Sequence, residues 1–272
     1  MAVQFLLESA LVPILAAGAL GLAARTIVPD RARAGVLALA VLLAVGTTYV
    51  LAFSWPSTLV LNARTKIMFS AFIGIAIGMA IEHRLPWSTI ALAALAIAVP
   101  LWIGLPALQQ GRLESILLIP IIAAALFAPR LMGDCRSWGE PPKVLTMMAL
   151  ALGLAGIAAF ARSLSFAELS LALASALLAI ILIGPRPLSA TAAIATAPIL
   201  LALTAALLLY SNASLPALLV LSTVIGAEPL ARRSSGREPE PVPTRRVLLY
   251  CLLPTAAAIL IARIDGGSIS IY

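Results

Sequence analysis

Apolar residues run along this chain in unbroken blocks of about twenty, divided by short stretches that carry nearly all the charge. A bilayer core about 30 Å thick takes ~20 residues of helix to cross, so each block has the length of a membrane span. Ten blocks meet that measure, at 5–24, 34–53, 61–81, 88–107, 113–129, 144–161, 167–184, 190–210, 214–230 and 247–262. Backbone polar groups in lipid must be satisfied internally, which leaves helices or closed barrels. Barrel strands alternate with period two, whereas these blocks are continuous Ala, Leu and Ile. The pattern predicts an all-α, polytopic integral membrane bundle of about ten transmembrane helices.

The first block differs from a secretory signal. Met1 to Gln4 carry no cation, and Glu8 and Pro13 interrupt the apolar run, so it reads as a retained helix. With the N-terminus outside, thirteen of the eighteen cations fall on the inner side and five on the outer, in accord with the positive-inside rule. Ten helices then place both termini outside. Only Lys66 and Lys143 are lysines among these cations. With abundant Ala and Leu, the arginine bias points to a GC-rich bacterial genome and to the inner (plasma) membrane of a bacterium.

Composition agrees with the pattern. The chain is 62% hydrophobic and 11% charged, with a mean hydropathy of +1.09. A soluble domain carries about 25% charged residues, so a soluble globular domain, a disordered chain and a disulfide scaffold are excluded. The net charge of +7 is dispersed between apolar blocks and forms no basic face for nucleic acid. Cys135 and Cys251 stand apart without CxxC spacing, so neither a disulfide nor a metal pair is expected.

Loops are short, and the chain reads as a single transmembrane domain, 1–272. The two longest are 130–143 and 231–246; Pro alternation and mixed charge make the second an extended, mobile cytoplasmic linker. At an offset of 134, Leu118–Ala128 lies over Leu252–Ala262 with Leu, Pro, Ala, Ala, Leu and Ala coinciding. This suggests half-repeats 1–129 and 144–272 joined by 130–143, a 5+5 duplication. An odd number of helices per half inverts one half against the other, as in many secondary transporters. Pro13, Pro120, Pro198 and Pro254 interrupt spans and free backbone carbonyls.

The third span holds the best local signal. Asn62, Lys66, Ser70, Gly74, Gly78 and Glu82 recur every four residues, a slowly winding ridge that is polar at both ends. Gly74 and Gly78 form a GxxxG helix-packing motif. Lys66, with neighbouring Arg64, offers positive charge to an anionic ligand or headgroup at the outer mouth. Thr47, Thr48 and Tyr49 are deep enough to line a central cavity, and so join Asn62, Arg64, Lys66 and Ser70 as a candidate substrate path. Glu8 is the deepest acid and the candidate for proton coupling. Glu168 closes an S-x-x-E capping box begun by Ser165, and Glu228 pairs with Arg232 four residues on. Thr204, Ser222, Thr223, Tyr250 and Thr255 satisfy their own helices or pack.

Enzyme chemistry finds few residues. His83 is the only histidine, there is no G-x-S-x-G elbow, no Walker A and no GxGxxG. No catalytic residue, cofactor or metal site is expected, and no motif identifies a family. Three readings follow. The favoured one is a permease-like transporter of a small or amphiphilic solute, resting on helix number, kinking prolines and the duplication. The alternative is a non-catalytic membrane subunit or scaffold that docks on partner subunits or on copies of itself. An intramembrane enzyme acting on a lipid ranks third. In each, membrane lipid is the surrounding partner.

Overall fold

A computed structural model describes residues 5, 7–53, 62–83, 88–109, 140–183, 190–235 and 244–268. Nine helices account for nearly all of them. Helix α1 opens with a π turn, Leu7–Leu11, and continues as Val12–Thr26. Next come α2 (Asp30–Phe53), α3 (Ala63–Glu82) and α4 (Ser88–Gln109), then α5 (Pro141–Phe160), α6 (Leu164–Ile183) and α7 (Ala190–Tyr210). Helix α8 joins Leu215–Ser222, a 3-10 turn Thr223–Gly226 and Ala227–Ser235, and α9 is Thr244–Ser268.

Eight of the nine are long and apolar enough to cross a membrane, the architecture of a multi-pass membrane protein. The ninth, α4, holds a shorter apolar stretch, Ala94–Pro106. The predicted span 113–129 lies outside the described residues. So does most of the predicted linker 231–246, but its two ends are helical: α8 continues to Ser235 and α9 starts at Thr244. The predicted capping box does not open α6, because the helix begins at Leu164 and puts Ser165 inside its first turn.

The α5–α6 connection shows how tightly the helices are joined. Arg162 is left-handed, with φ 56°. Ser163 N donates to Ala158 O and Arg162 N to Ala159 O, at 2.9 and 3.2 Å. These are the two bonds of a Schellman cap, here closed by arginine in a position that favours glycine. At the end of α1, Arg33 Nε donates to the orphan carbonyl of Ala24 at 2.9 Å.

Helix α7 is the axis of the molecule, almost entirely buried among α2, α3, α4 and α5. Its closest partner is α3. A Cβ added at Gly74 would stand 2.9 Å from Ala195 O and from Pro198 Cγ, and one at Gly78 would stand 3.0 Å from Thr191. Rising numbers on α3 meet falling numbers on α7, so the pair is antiparallel. Helices α1 and α6 run parallel: Gly18 lies against Ile183 Cδ1, and Glu8 near one start acts electrostatically on Glu168 near the other. Helices α8 and α9 flank α5 at the periphery. The two halves lack equivalent neighbours, since α1 packs along α6, whereas α5, its counterpart in the duplication, turns to α6, α9 and α8.

Candidate functional site

Proline inside a helix withdraws the donor for the carbonyl four residues before it. In α4, Pro106 does this to Trp102. The freed Trp102 carbonyl accepts a hydrogen bond of 2.6 Å from Lys66 Nζ, which reaches across from α3. The ammonium also lies 5.7 Å from the centroid of the Trp102 ring, within cation–π range. One residue further along α4, the Ile103 carbonyl accepts from the Tyr210 hydroxyl of α7 at 2.8 Å. The proline-containing turn of α4 is therefore pinned from two sides.

Lys66 sits three residues, about 4.5 Å, inside the start of α3. It is 5% exposed, and among the described residues no acidic side chain forms an ion pair with it. One of its three N–H donors is used on Trp102. Arg64, two residues earlier and exposed, stacks its guanidinium 4.8 Å over the Phe53 ring, and Phe53 meets Tyr49 edge-on at 5.5 Å.

Asn62, expected on the ridge, is the N-cap of α3. Its Oδ1 accepts from Thr65 N and from the Thr65 hydroxyl, both at 2.9 Å. Since Thr65 gives its proton to Asn62, the Tyr49 phenol is the donor in the 3.1 Å Tyr49–Thr65 bond. Ser70 turns its hydroxyl back to Ile67 O at 2.6 Å.

The structure separates the hydroxyls of Thr47, Thr48 and Tyr49. Thr47 bonds Ala44 O of its own helix at 3.1 Å, Tyr49 reaches α3, and Thr48 divides its proton between Ala44 O and Glu8 O of α1, at 3.1 and 3.0 Å. Consecutive helical residues are turned by about 100°, so three in a row span about 200°, more than half the circumference, and face different neighbours. The Thr48 contact repeats the logic of Lys66. In the π register of Leu7–Leu11 the next donor for the Glu8 carbonyl is residue 13, a proline without an N–H. Glu8 and Arg64 are the charged groups that act on Glu168, which gathers the starts of α1, α3 and α6 at one end of the bundle.

At the opposite end, Thr191 donates to the Glu82 carboxylate and closes the α3–α7 pair. Gly74 and Gly78 complete that interface and belong to it rather than to the polar cluster. His83 is the exposed C-cap residue of α3. Among the described residues no three His, Cys, Asp or Glu gather to hold a metal ion; Cys251 is buried, and Cys135 lies outside them. Sequence reasoning missed Trp102, Pro106 and Tyr210. The available signal was a proline one helical turn after a tryptophan within an apolar block, facing a span that carries a lysine. No protein-family model, no curated protein and no solved structure matches this chain.

Proposed function

We propose that this protein is a permease of the bacterial inner membrane for a small or amphiphilic solute that carries negative charge. The observation that supports it is Lys66, a buried cation held by a backbone carbonyl that a proline has freed. A buried ammonium is expensive unless paired, and a neutral carbonyl partner leaves most of that charge uncompensated. A carboxylate or phosphate entering beside Arg64 outcompetes the Trp102 carbonyl for the ammonium. Releasing that carbonyl frees the Pro106 turn of α4 to bend, which couples occupancy to helix movement. Thr65, Tyr49 and Tyr210 supply further hydroxyls at the same end.

Helix directions support ten crossings. If α1 and α6 run parallel and α3 and α7 antiparallel, then the end of α4 and the start of α5 stand on opposite faces, which ten crossings require and nine exclude. The charge bias puts both termini outside. Two counterpart pairs of a 5+5 duplication, α2 with α6 and α3 with α7, pack on each other, as helices beside a two-fold axis in the membrane plane would, although α1 and α5 do not share that equivalence.

Purified protein in proteoliposomes, assayed for uptake of labelled monocarboxylates, dicarboxylates and organic phosphates against organic cations, tests the proposal. Anion uptake should appear in the natural chain, collapse in Lys66→Gln and recover in part in Lys66→Arg. Uptake that is indifferent to Lys66→Gln, or absent for every class while partner subunits co-purify in fixed ratio, sinks it in favour of the subunit reading.

A further inference from the structure

Where α8 ends and α9 begins, the two helices leave a groove of about 460 Å³ lined by Ser234, Arg246, Leu249, Tyr250 and Leu253. Four of these belong to α9 at spacings of three and four, one face of the helix. Polarity is graded along that face. Arg246 stands at the end of the helix, Tyr250 one turn further in, and Leu249 and Leu253 are 62% and 73% exposed. From Arg246 to Leu253 the stripe is about 10 Å long. Arg233 and Arg245 are exposed beside it, and Arg232 is engaged by Glu228 at 3.1 Å.

The occupant has to be charged at one end and apolar at the other. We infer that this groove binds one anionic phospholipid, with its phosphodiester on Arg246 and an acyl chain along Leu249 and Leu253. Charge complementarity selects the anionic class: the arginines at the helix ends attract acidic headgroups. A choline lipid carries its own cation beside the phosphate and so competes less well for these arginines, which favours phosphatidylglycerol over phosphatidylcholine. This site is remote from Lys66 and does not rest on the transport reading.

The test is native mass spectrometry of the full chain in mild detergent, titrated with phosphatidylglycerol and, separately, phosphatidylcholine. One phosphatidylglycerol should bind saturably and in preference to phosphatidylcholine. Arg246→Gln should weaken it about fivefold, the factor one basic residue contributes near an anionic surface. Arg246→Lys should restore most of the loss, which separates charge from misfolding. Leu253→Trp should obstruct the groove and weaken binding with Arg246 intact, and Arg162→Gln, at the other end of the bundle, should change nothing. The inference is overturned by equal binding of the two lipids, by Arg246→Gln and Leu253→Trp binding as the natural chain does, or by inorganic phosphate displacing the lipid, which marks a site for a soluble anion. It is equally overturned if a dimer forms that Leu253→Trp abolishes, since a second copy then fills the groove.

Discussion

Lys66 and Pro106 are 40 positions apart and share one carbonyl. Proline strands the Trp102 oxygen and lysine satisfies it, so the energy of either residue depends on the presence of the other. Lys66→Met leaves a buried acceptor without a donor, whereas Pro106→Ala returns a backbone donor to that same acceptor. In the Pro106→Ala background, Lys66→Met should therefore destabilise by roughly 1–3 kcal/mol less than in the natural chain. Unfolding midpoints of the four proteins in mixed micelles measure this coupling. Strict additivity, within about 0.5 kcal/mol, would falsify the shared carbonyl. Lys66 stood out in the sequence because it falls where the charge bias expects few cations. Its partner was not, because Trp102 offers a backbone atom, and only the packing of α3 on α4 decides which carbonyl an ammonium can reach. Thr47, Thr48 and Tyr49 were misjudged as one lining for a related reason: adjacency in the chain sets adjacent residues on different faces of a helix.

At the scale of elements, the glycines of α2 and α3 separate two uses of the same residue. Gly74 and Gly78 let α3 approach α7 backbone to backbone, so a methyl there meets atoms that cannot move aside. Around Gly35 of α2 a methyl would meet nothing within 4 Å. Gly74→Ala should cost about 1–3 kcal/mol through overpacking. Gly35→Ala should gain about 0.5–1 kcal/mol, because alanine loses less backbone entropy in a helix. Both values come from denaturation of the reconstituted protein, and a Gly74→Ala variant as stable as Gly35→Ala would remove the close α3–α7 contact from the account. The GxxxG spacing predicted a packing face, while the identity of the neighbour came only from the fold. Helix positions were legible because apolar length alone determines them. The breaks within helices were harder to read. The π turn in α1 runs up to Pro13 and has its Glu8 carbonyl met by Thr48 of another helix, and the 3-10 turn of α8 falls at Thr223–Gly226, inside a block long enough to read as one span.

For the molecule as a whole, the helix contacts act as a set of directions that composition does not supply. Tyr49–Thr65, Lys66–Trp102, Tyr210–Ile103 and Thr48–Glu8 all join helix ends at one face of the bundle. The Glu82–Thr191 and Arg33–Ala24 contacts close the other face. Under the positive-inside rule the second face would be the cytoplasmic one, an expectation that uses none of the contacts: Arg25, Arg33, Lys143, Arg232, Arg233, Arg245 and Arg246 cluster with the second face, and Arg64, Lys66, Arg162 and Arg263 with the first. Together the contacts and this expectation require that Asn62, Arg162 and Ser211 share a face and that His83 and Glu140 share the opposite one. Single cysteines at these five positions, in a background with Cys135→Ser and Cys251→Ala, can be labelled in intact cells with a membrane-impermeant maleimide. The first three should react without permeabilisation and the last two only after it. Labelling of Glu140→Cys from the same side as Asn62→Cys would put an even number of crossings between α4 and α5. The parallel α1–α6 and antiparallel α3–α7 pairs would then be impossible in one membrane, and the inverted halves, the external termini and the outer position of Lys66 would fall with them.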